Sequence, residues 1–395
     1  MQSSGNSTKI AIAVSIAVCS SSAAADDFTT ALTEGKPTLD LRLRYEGVDQ
    51  NNALKDANAV TLRTRLGYET GKFNGFSLFA EFEDVTAIED DYSLPADSPK
   101  IYSVVADPDS TEVNRLSLTY SGLADTSVIY GRQRIIFDNA RFVGNVGWRQ
   151  NEQTFDGILF KNISLSDTTL NYAYIYNVNT ILAGKTDIKG HLLNASYSGL
   201  SFGKLTGYGY FLEFPNAAST SSKTLGVRLA GKQDMGDMTG IYTLEYATQS
   251  DYEQGSSAID ADYSLIELGL KISGVTAKLG YEILGSDSFS GFETPLATKH
   301  AFNGWTDQFL NTPPNGLKDL YLTVGGKVQG IKLLGVYHDF KADSGGASYG
   351  NEIGFLAAKK FGKHYSAGLK YASFSSDSTS YVDTDKIWIW GGIKF

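Results

Sequence analysis

Cysteine is almost missing from this 395-residue chain: Cys19, near the start, is the only one. A mature form that begins beyond it can have neither disulfides nor a thiolate metal site. No run of about 20 consecutive apolar residues exists, and the mean hydropathy is -0.18, so a bundle of membrane-spanning helices is excluded. Positive charge is in short supply, with 34 Lys and Arg against 44 Asp and Glu and a net charge of -10, which argues against a nucleic-acid partner. Histidine is rarer still. His191, His300, His338 and His364 are too far apart for metal-ligand spacing, and no phosphate-binding glycine loop occurs, so no metal or cofactor is expected. Proline is scarce too, with 8 residues against 41 glycines, 23 tyrosines and 21 phenylalanines. That balance suits long strands joined by turns.

What the chain does have is alternation. Apolar and polar residues alternate near 37–47, 58–70, 75–85, 112–121, 127–136, 151–161, 167–178, 189–199 and 203–214. The pattern continues near 223–233, 238–249, 261–272, 275–285, 317–327, 331–341, 351–361, 364–374 and 385–395. Segments of about ten residues match a tilted crossing of the hydrocarbon layer, so the fold class is all-β: a transmembrane antiparallel β-barrel of about 18 strands.

The connections test that reading independently, because such barrels alternate short periplasmic turns with longer outer loops. Val48 to Ala57, Thr86 to Thr111, Phe137 to Gln150 and Ser286 to Gly316 are long, whereas Gly71 to Asn74, Gly122 to Asp125, Asp234 to Asp237 and Gly362-Lys363 are tight. A soluble sandwich has no reason to keep that parity, and its edges would expose apolar aromatic faces.

The two faces of each strand differ in chemistry. Leu39, Leu41, Leu43 and Tyr45 oppose Asp40, Arg42, Arg44 and Glu46; Leu62, Leu66 and Tyr68 oppose Arg63, Arg65 and Glu69; Phe76, Leu78 and Phe82 oppose Ser77, Glu81 and Glu83. A charge at the bilayer midplane costs roughly 2–4 kcal/mol, so the charged faces must line the lumen. Tyr45, Tyr68, Tyr120 and Tyr371 suit an interfacial girdle.

Residues 1–25 read as a signal peptide: Lys9, an apolar run from Ile10 to Cys19, then Ala23-Ala24-Ala25 before the expected cleavage. Ile16-Ala17-Val18 is a poor lipidation context for Cys19. Residues 26–36 then form a short periplasmic segment and 37–395 the barrel. With so little preceding the first strand, a plugged transporter of the 22-strand type is not expected, and 16 to 18 strands leave room for an aqueous channel.

Nine of the ten arginines fall in the first part of the chain: Arg42, Arg44, Arg63, Arg65, Arg115, Arg132, Arg134, Arg141 and Arg149, with Arg228 alone beyond them. On antiparallel neighbours they occupy one side of the wall, facing Glu46, Glu69, Glu81, Glu83, Glu152 and Asp156. Two readings stand side by side: an anion-selective ladder, because guanidinium binds carboxylates bidentately and stays charged, or a network that braces the wall. Phe142, Val143, Val146 and Trp148 are too apolar for a solvated loop tip, so this loop is a candidate to fold into the lumen.

Four segments carry a family resemblance: LDLRLRYE (Leu39 to Glu46), GRQRIIFDNARFVGN (Gly131 to Asn145), WRQNEQTFDG (Trp148 to Gly157) and FNGWTDQFLNTPPNGLKDLY (Phe302 to Tyr321). Together the chain resembles the alginate-export-type outer-membrane channels, eighteen-strand barrels of Gram-negative bacteria. The resemblance implies a diffusion channel, with Arg132, Arg134, Arg141, Arg149 and Asp156 carried over as lumen residues. It also implies that the barrel assembly machinery reads the terminal Phe395. The arginine-poor second half departs from the polyuronate-exporting namesake, so a porin for small hydrophilic, anionic or oligosaccharide solutes is expected ahead of an exporter of an anionic polysaccharide.

A barrel-anchored enzyme or adhesin is the rival class. Gly199-Leu200-Ser201-Phe202-Gly203 matches a nucleophile pattern but falls in an expected hairpin turn rather than a strand-to-helix elbow, and no Ser/His/Asp or paired-acid spacing accompanies it, so no enzyme is expected. Glu89-Asp90-Asp91 with Asp97, Asp107 and Asp109 reads as an acidic outer loop, a solvated face ahead of a cation site bridging lipopolysaccharide. The last segment, Lys386 to Phe395, is expected to close the barrel against Leu39 to Glu46, with Ile387, Ile389, Ile393 and Phe395 toward outer-membrane lipid.

Overall fold

The computed structural model describes residues 22–287 and 290–395. A helix, α1 (Ser22–Thr33), leads into β1 (Lys36–Gln50), β2 (Ala57–Glu69), β3 (Phe76–Asp91), β4 (Ser110–Leu123), β5 (Thr126–Gln133) and β6 (Thr154–Asn162). Next come β7 (Thr168–Asn179), β8 (Lys185–Leu200), β9 (Gly203–Glu213), β10 (Ser222–Met235), β11 (Met238–Asp251) and β12 (Asp260–Ile272). The last six are β13 (Val275–Leu284), β14 (Leu317–Val328), β15 (Ile331–Lys341), β16 (Ser348–Phe361), β17 (Tyr365–Ser376) and β18 (Thr384–Lys394).

Each strand pairs antiparallel with its neighbours in sequence, and β18 returns to β1, so the 18-stranded sheet is closed. Closure removes the edge strands that an open sheet would expose. The seam register sets Leu43 opposite Gly391 and Glu46 opposite Trp388, as expected for the terminal segment.

Alternation decides the faces as the charge argument requires. Along β1, Arg44 and Glu46 are each 1% exposed while Leu43 is 48% exposed. On β18, Trp388 is fully buried inside, whereas Ile389 and, just beyond the strand, Phe395 lie on the outer surface.

The differences from expectation are local. β5 ends at Gln133 rather than near 136, because Ile135 and Phe137 keep the period-2 pattern by burying themselves in the lumen after the backbone has left the ladder. β3 continues to Asp91, with Asn58 of β2 opposite, so Glu89-Asp90-Asp91 belong to a strand end and not to a loop. The helix is an addition to the expected segment 26–36. The Gly71 N–H donates to the Ala31 carbonyl at 2.8 Å, and Phe28 meets Phe73 edge-on at 5.4 Å, which pins α1 to the β2–β3 turn. Residues 1–21, most of the expected signal peptide and Cys19 among them, lie outside the described residues.

Candidate functional site

The two long connections 134–153 and 285–316 turn inward and meet inside the barrel. Apolar burial drives one end of the first. Phe142 packs on Tyr208 of β9 (5.1 Å between ring centres), Tyr263 of β12 (5.2 Å) and Phe292 of the second loop (6.0 Å). Beside this nest Arg141 donates through Nε to Glu282 of β13 at 2.7 Å and through Nη2 to Asn303 at 3.0 Å. Burial alone would lower the Arg141 pKa, but Glu282 beside it holds the guanidinium above its ordinary range.

The other end of the first loop is tied to the seam. Arg149 donates to both oxygens of Glu46, at 3.1 and 3.0 Å, and to Asp307 of the second loop at 2.9 Å. Arg44 donates to the Trp148 carbonyl at 2.6 Å, to Glu46 at 3.2 Å and to Asp107. Arg42 donates to Gln150 Oε1 at 2.9 Å and to the carbonyls of Gly147 (3.2 Å) and Arg149. Gln150 in turn donates to Thr61 Oγ1 of β2 at 2.8 Å.

A third set of ion pairs holds the loop to the wall it leaves. Arg134 donates to Glu152 through Nε at 2.6 Å, Asn114 donates to both Glu152 and Glu81 at 2.7 Å, and Arg65 pairs with Glu83. Burial raises the Glu152 pKa, but Arg65 and Arg134 together bring it down to about 2. Arg115 clamps Glu81 with two bonds, at 2.9 and 2.8 Å, Arg132 does the same to Asp156 at 2.9 and 3.3 Å, and Arg63 reaches Asp40 at 2.6 Å. Each of the nine clustered arginines is thus occupied by a carboxylate, an amide or a carbonyl. Glu69 stands apart, exposed at the short-turn end of β2.

The opposite wall carries residues that counting arginines overlooks. Lys271 (β12), Lys278 (β13), Lys327 (β14) and Lys332 (β15) line a cavity of about 870 Å³ together with Phe302, Trp305 and Tyr321. Lys278 is paired with Glu267 at 2.9 Å. Among the described residues, Lys271, Lys327 and Lys332 have no ion-pair partner. All four share the inner phase of their strands with Glu267, Glu282, Asp319 and His338, so period-2 phasing was the signal that could have found them.

The remaining motifs settle into ordinary places. Ser201 lies in the turn joining β8 and β9. His338 bonds Asp319 at 2.8 Å, and Asp107 of the acidic connection is buried against Arg44. Among the described residues no group of three or more His, Cys, Asp or Glu could hold a metal ion.

The family model described as "Alginate export" matches residues 36–285. Solved structures share the fold. Pseudomonas aeruginosa OpdK, crystallised with vanillate, superposes with a TM-score of 0.71 at 16% identity, over 92% of this chain and 99% of that one. OccD3 (OpdP) of the same organism gives 0.69 at 15% identity, covering 93% of this chain and 92% of its own. OccK2 (OpdF) of that organism, in complex with glucuronate, gives 0.68 at 13% identity, with 92% and 99% covered. No curated protein matches the chain.

Proposed function

This chain belongs to the alginate export family, a porin-like barrel channel of the Gram-negative outer membrane, and we propose that it passes small ring-bearing carboxylates by passive diffusion. The observation that carries the reading is that Lys271, Lys327 and Lys332, without an ion-pair partner among the described residues, line one cavity with Phe302 and Trp305. An ammonium with no carboxylate partner attracts a solute carboxylate at long range, and an aromatic face beside it accepts the apolar side of a ring. Glu267 on the same wall, paired with Lys278, keeps lone pairs that can accept from hydroxyl groups.

The arginines receive the other role. A guanidinium already clamped to a carboxylate contributes little net field, so we assign Arg63, Arg65, Arg115, Arg132 and Arg134 to bracing the wall. Arg44, Arg141 and Arg149, each paired with a carboxylate, and Arg42, which bonds Gln150 and the carbonyls of Gly147 and Arg149, we assign to holding the inner loops. Vanillate and glucuronate, found with two of the similar barrels, are both ring carboxylates, which supports the solute class. Polysaccharide export is disfavoured, because the first inner loop, tied to β13 through Arg141 and to β1 through Arg149, occupies the lumen that a polymer would have to thread.

The same reading gives the chain a cleaved signal at 1–25, lipid and lipopolysaccharide around its outer apolar band, and the assembly machinery at the terminal segment Lys386 to Phe395. Liposome swelling tests the solute class. Uronates and aryl carboxylates should enter faster than neutral sugars of equal size, and equal or inverted rates would overturn the proposal.

A further inference from the structure

The short-turn end of the barrel, which faces the periplasm in an outer-membrane channel, carries lysines on six strands. Lys161 (β6), Lys232 (β10), Lys271 (β12), Lys327 (β14), Lys332 (β15) and Lys360 (β16) all stand at strand ends that adjoin tight connections, and all are exposed. Period 2 puts them on the inner face: Lys232 is in phase with Arg228, Lys271 with Glu267 and Lys360 with Glu352. They therefore face the mouth of the lumen and not the lipid headgroups.

Among the described residues none of the six has an ion-pair partner, whereas Lys204 and Lys278 on the same face are paired with Asp138 and Glu267. Outside ion pairs, two acids share the inner phase at this end: Glu69, which stands opposite Lys36, and Asp234. The excess is positive. Lys327 also lies directly opposite Lys332 in the ladder. Like charges directly opposite each other destabilise a sheet, so bracing does not explain that pair.

The long-loop end has the opposite character. Asp49 lies opposite Asp385 at the seam, β3 ends on Glu89-Asp90-Asp91, Asp251 closes β11 and Asp260 opens β12, and all of these are exposed. They outnumber Lys55, Lys100, Lys185, Lys223 and Lys299, the lysines at that end without an ion pair among the described residues. Between the two ends the clustered arginines are already occupied.

We propose that the six lysines form a collar at the periplasmic mouth which, set against the acidic outer mouth, makes the channel an ionic rectifier. With the loop side positive, cations enter past the acids and anions past the collar, so both accumulate in the lumen. With the loop side negative, each enters through the mouth that repels it, and the lumen is depleted of carriers. The inference rests on the channel reading above and is independent of the solute class.

Single channels in symmetric potassium chloride test it, because no concentration gradient then contributes to the current. Ser257→Cys, in the exposed β11–β12 connection, reports orientation. Cys19 is the chain's sole cysteine and lies in the expected signal, so a biotin placed on Ser257→Cys is unique, and streptavidin disturbs the current from the loop side alone. At 0.1 M salt the current should be roughly two-fold larger with the loop side positive. At 1 M, where the screening length falls from about 10 Å to about 3 Å, the ratio should approach one. Lys161→Gln, Lys232→Gln and Lys360→Gln combined keep Lys271, Lys327 and Lys332 in place and should lower the ratio at 0.1 M; if that variant fails to assemble, the salt series on the parent decides. Equal currents at both polarities, a larger current with the loop side negative, a ratio indifferent to salt, or an unchanged ratio in the triple variant would overturn the proposal. A symmetric channel that still admits carboxylates ahead of sugars would remove the collar's role alone, and a rectifying one that does not would remove the solute class alone.

Discussion

Arg141 and Glu282 stand 141 positions apart in sequence and 2.7 Å apart in space, across the lumen of the barrel. Because both are buried, that pair fixes how the first inner loop crosses the pore. Removing one partner strands the other charge, a loss of about 3–5 kcal/mol for a buried pair. Arg141→Ala should therefore lower the thermal midpoint of the barrel and give a larger, noisier single-channel conductance. An unchanged trace would mean that the loop is held by other contacts.

Arg132 clamps Asp156, and Arg134 clamps Glu152, so neither has charge to spare for a solute. Replacing both with alanine should reduce stability while ion selectivity stays close to that of the parent. A marked fall in anion preference would return these residues to the permeation path.

Gly304 adopts a φ of +90°, and a Cβ there would come within 2.5 Å of Glu352 Oε2. Glu352 accepts from the Thr306 N–H at 3.1 Å, from Thr306 Oγ1 at 2.6 Å and from the Trp305 N–H. Gly304→Ala adds backbone strain of about 1–3 kcal/mol and displaces that anchor, so tryptophan emission should shift to the red. Gly345→Ala also meets a positive φ, +78°, but nothing lies near its Cβ, and it should leave the emission unchanged.

His300 is neutral in the fold, because burial pushes its pKa down to about 3 from 6.5 even though Asp307 beside it favours the charged ring. The unfolded ring takes up a proton below 6.5, so the unfolded state binds more protons between about 6.5 and 3 and stability falls as pH falls through that window. Asp307, held below its ordinary range by His300, Lys386 and Arg149 against the effect of burial, loses its contribution in the same direction at still lower pH. The thermal midpoint should therefore drop on acidification from pH 7 to pH 4, on the order of 3 kcal/mol from the histidine. His300→Gln should flatten that dependence, and an equally steep profile in the variant would place the titration elsewhere.

How much of this was legible in the sequence depends on the range of each interaction. Lipid imposes period 2 on every strand, so the strands, their faces and the seam between Leu39–Glu46 and the terminal segment could be read directly. Pairs set by neighbouring register were within reach too: Arg65 lies opposite Glu83, Arg115 opposite Glu81 and Arg132 opposite Asp156. The loop contacts were not, because Arg42 meets Gln150 over 108 positions and no local period encodes such a meeting. The lysine column is hidden for another reason: the arginines cluster in one stretch of sequence, whereas Lys271, Lys327 and Lys332 come together only when strands β12 to β15 are phased against one another. Helix α1 escaped because its small residues read as the end of a signal sequence.

The central claim is an aqueous channel whose anion preference comes from the free lysines of one wall. A planar bilayer under a potassium chloride gradient reads it most directly. The parent should conduct steadily, with a reversal potential on the anion side, and Lys271→Glu, Lys327→Glu and Lys332→Glu combined should move it toward the cation side. A closed or cation-selective parent, or a reversal potential that the three changes leave in place, would contradict it.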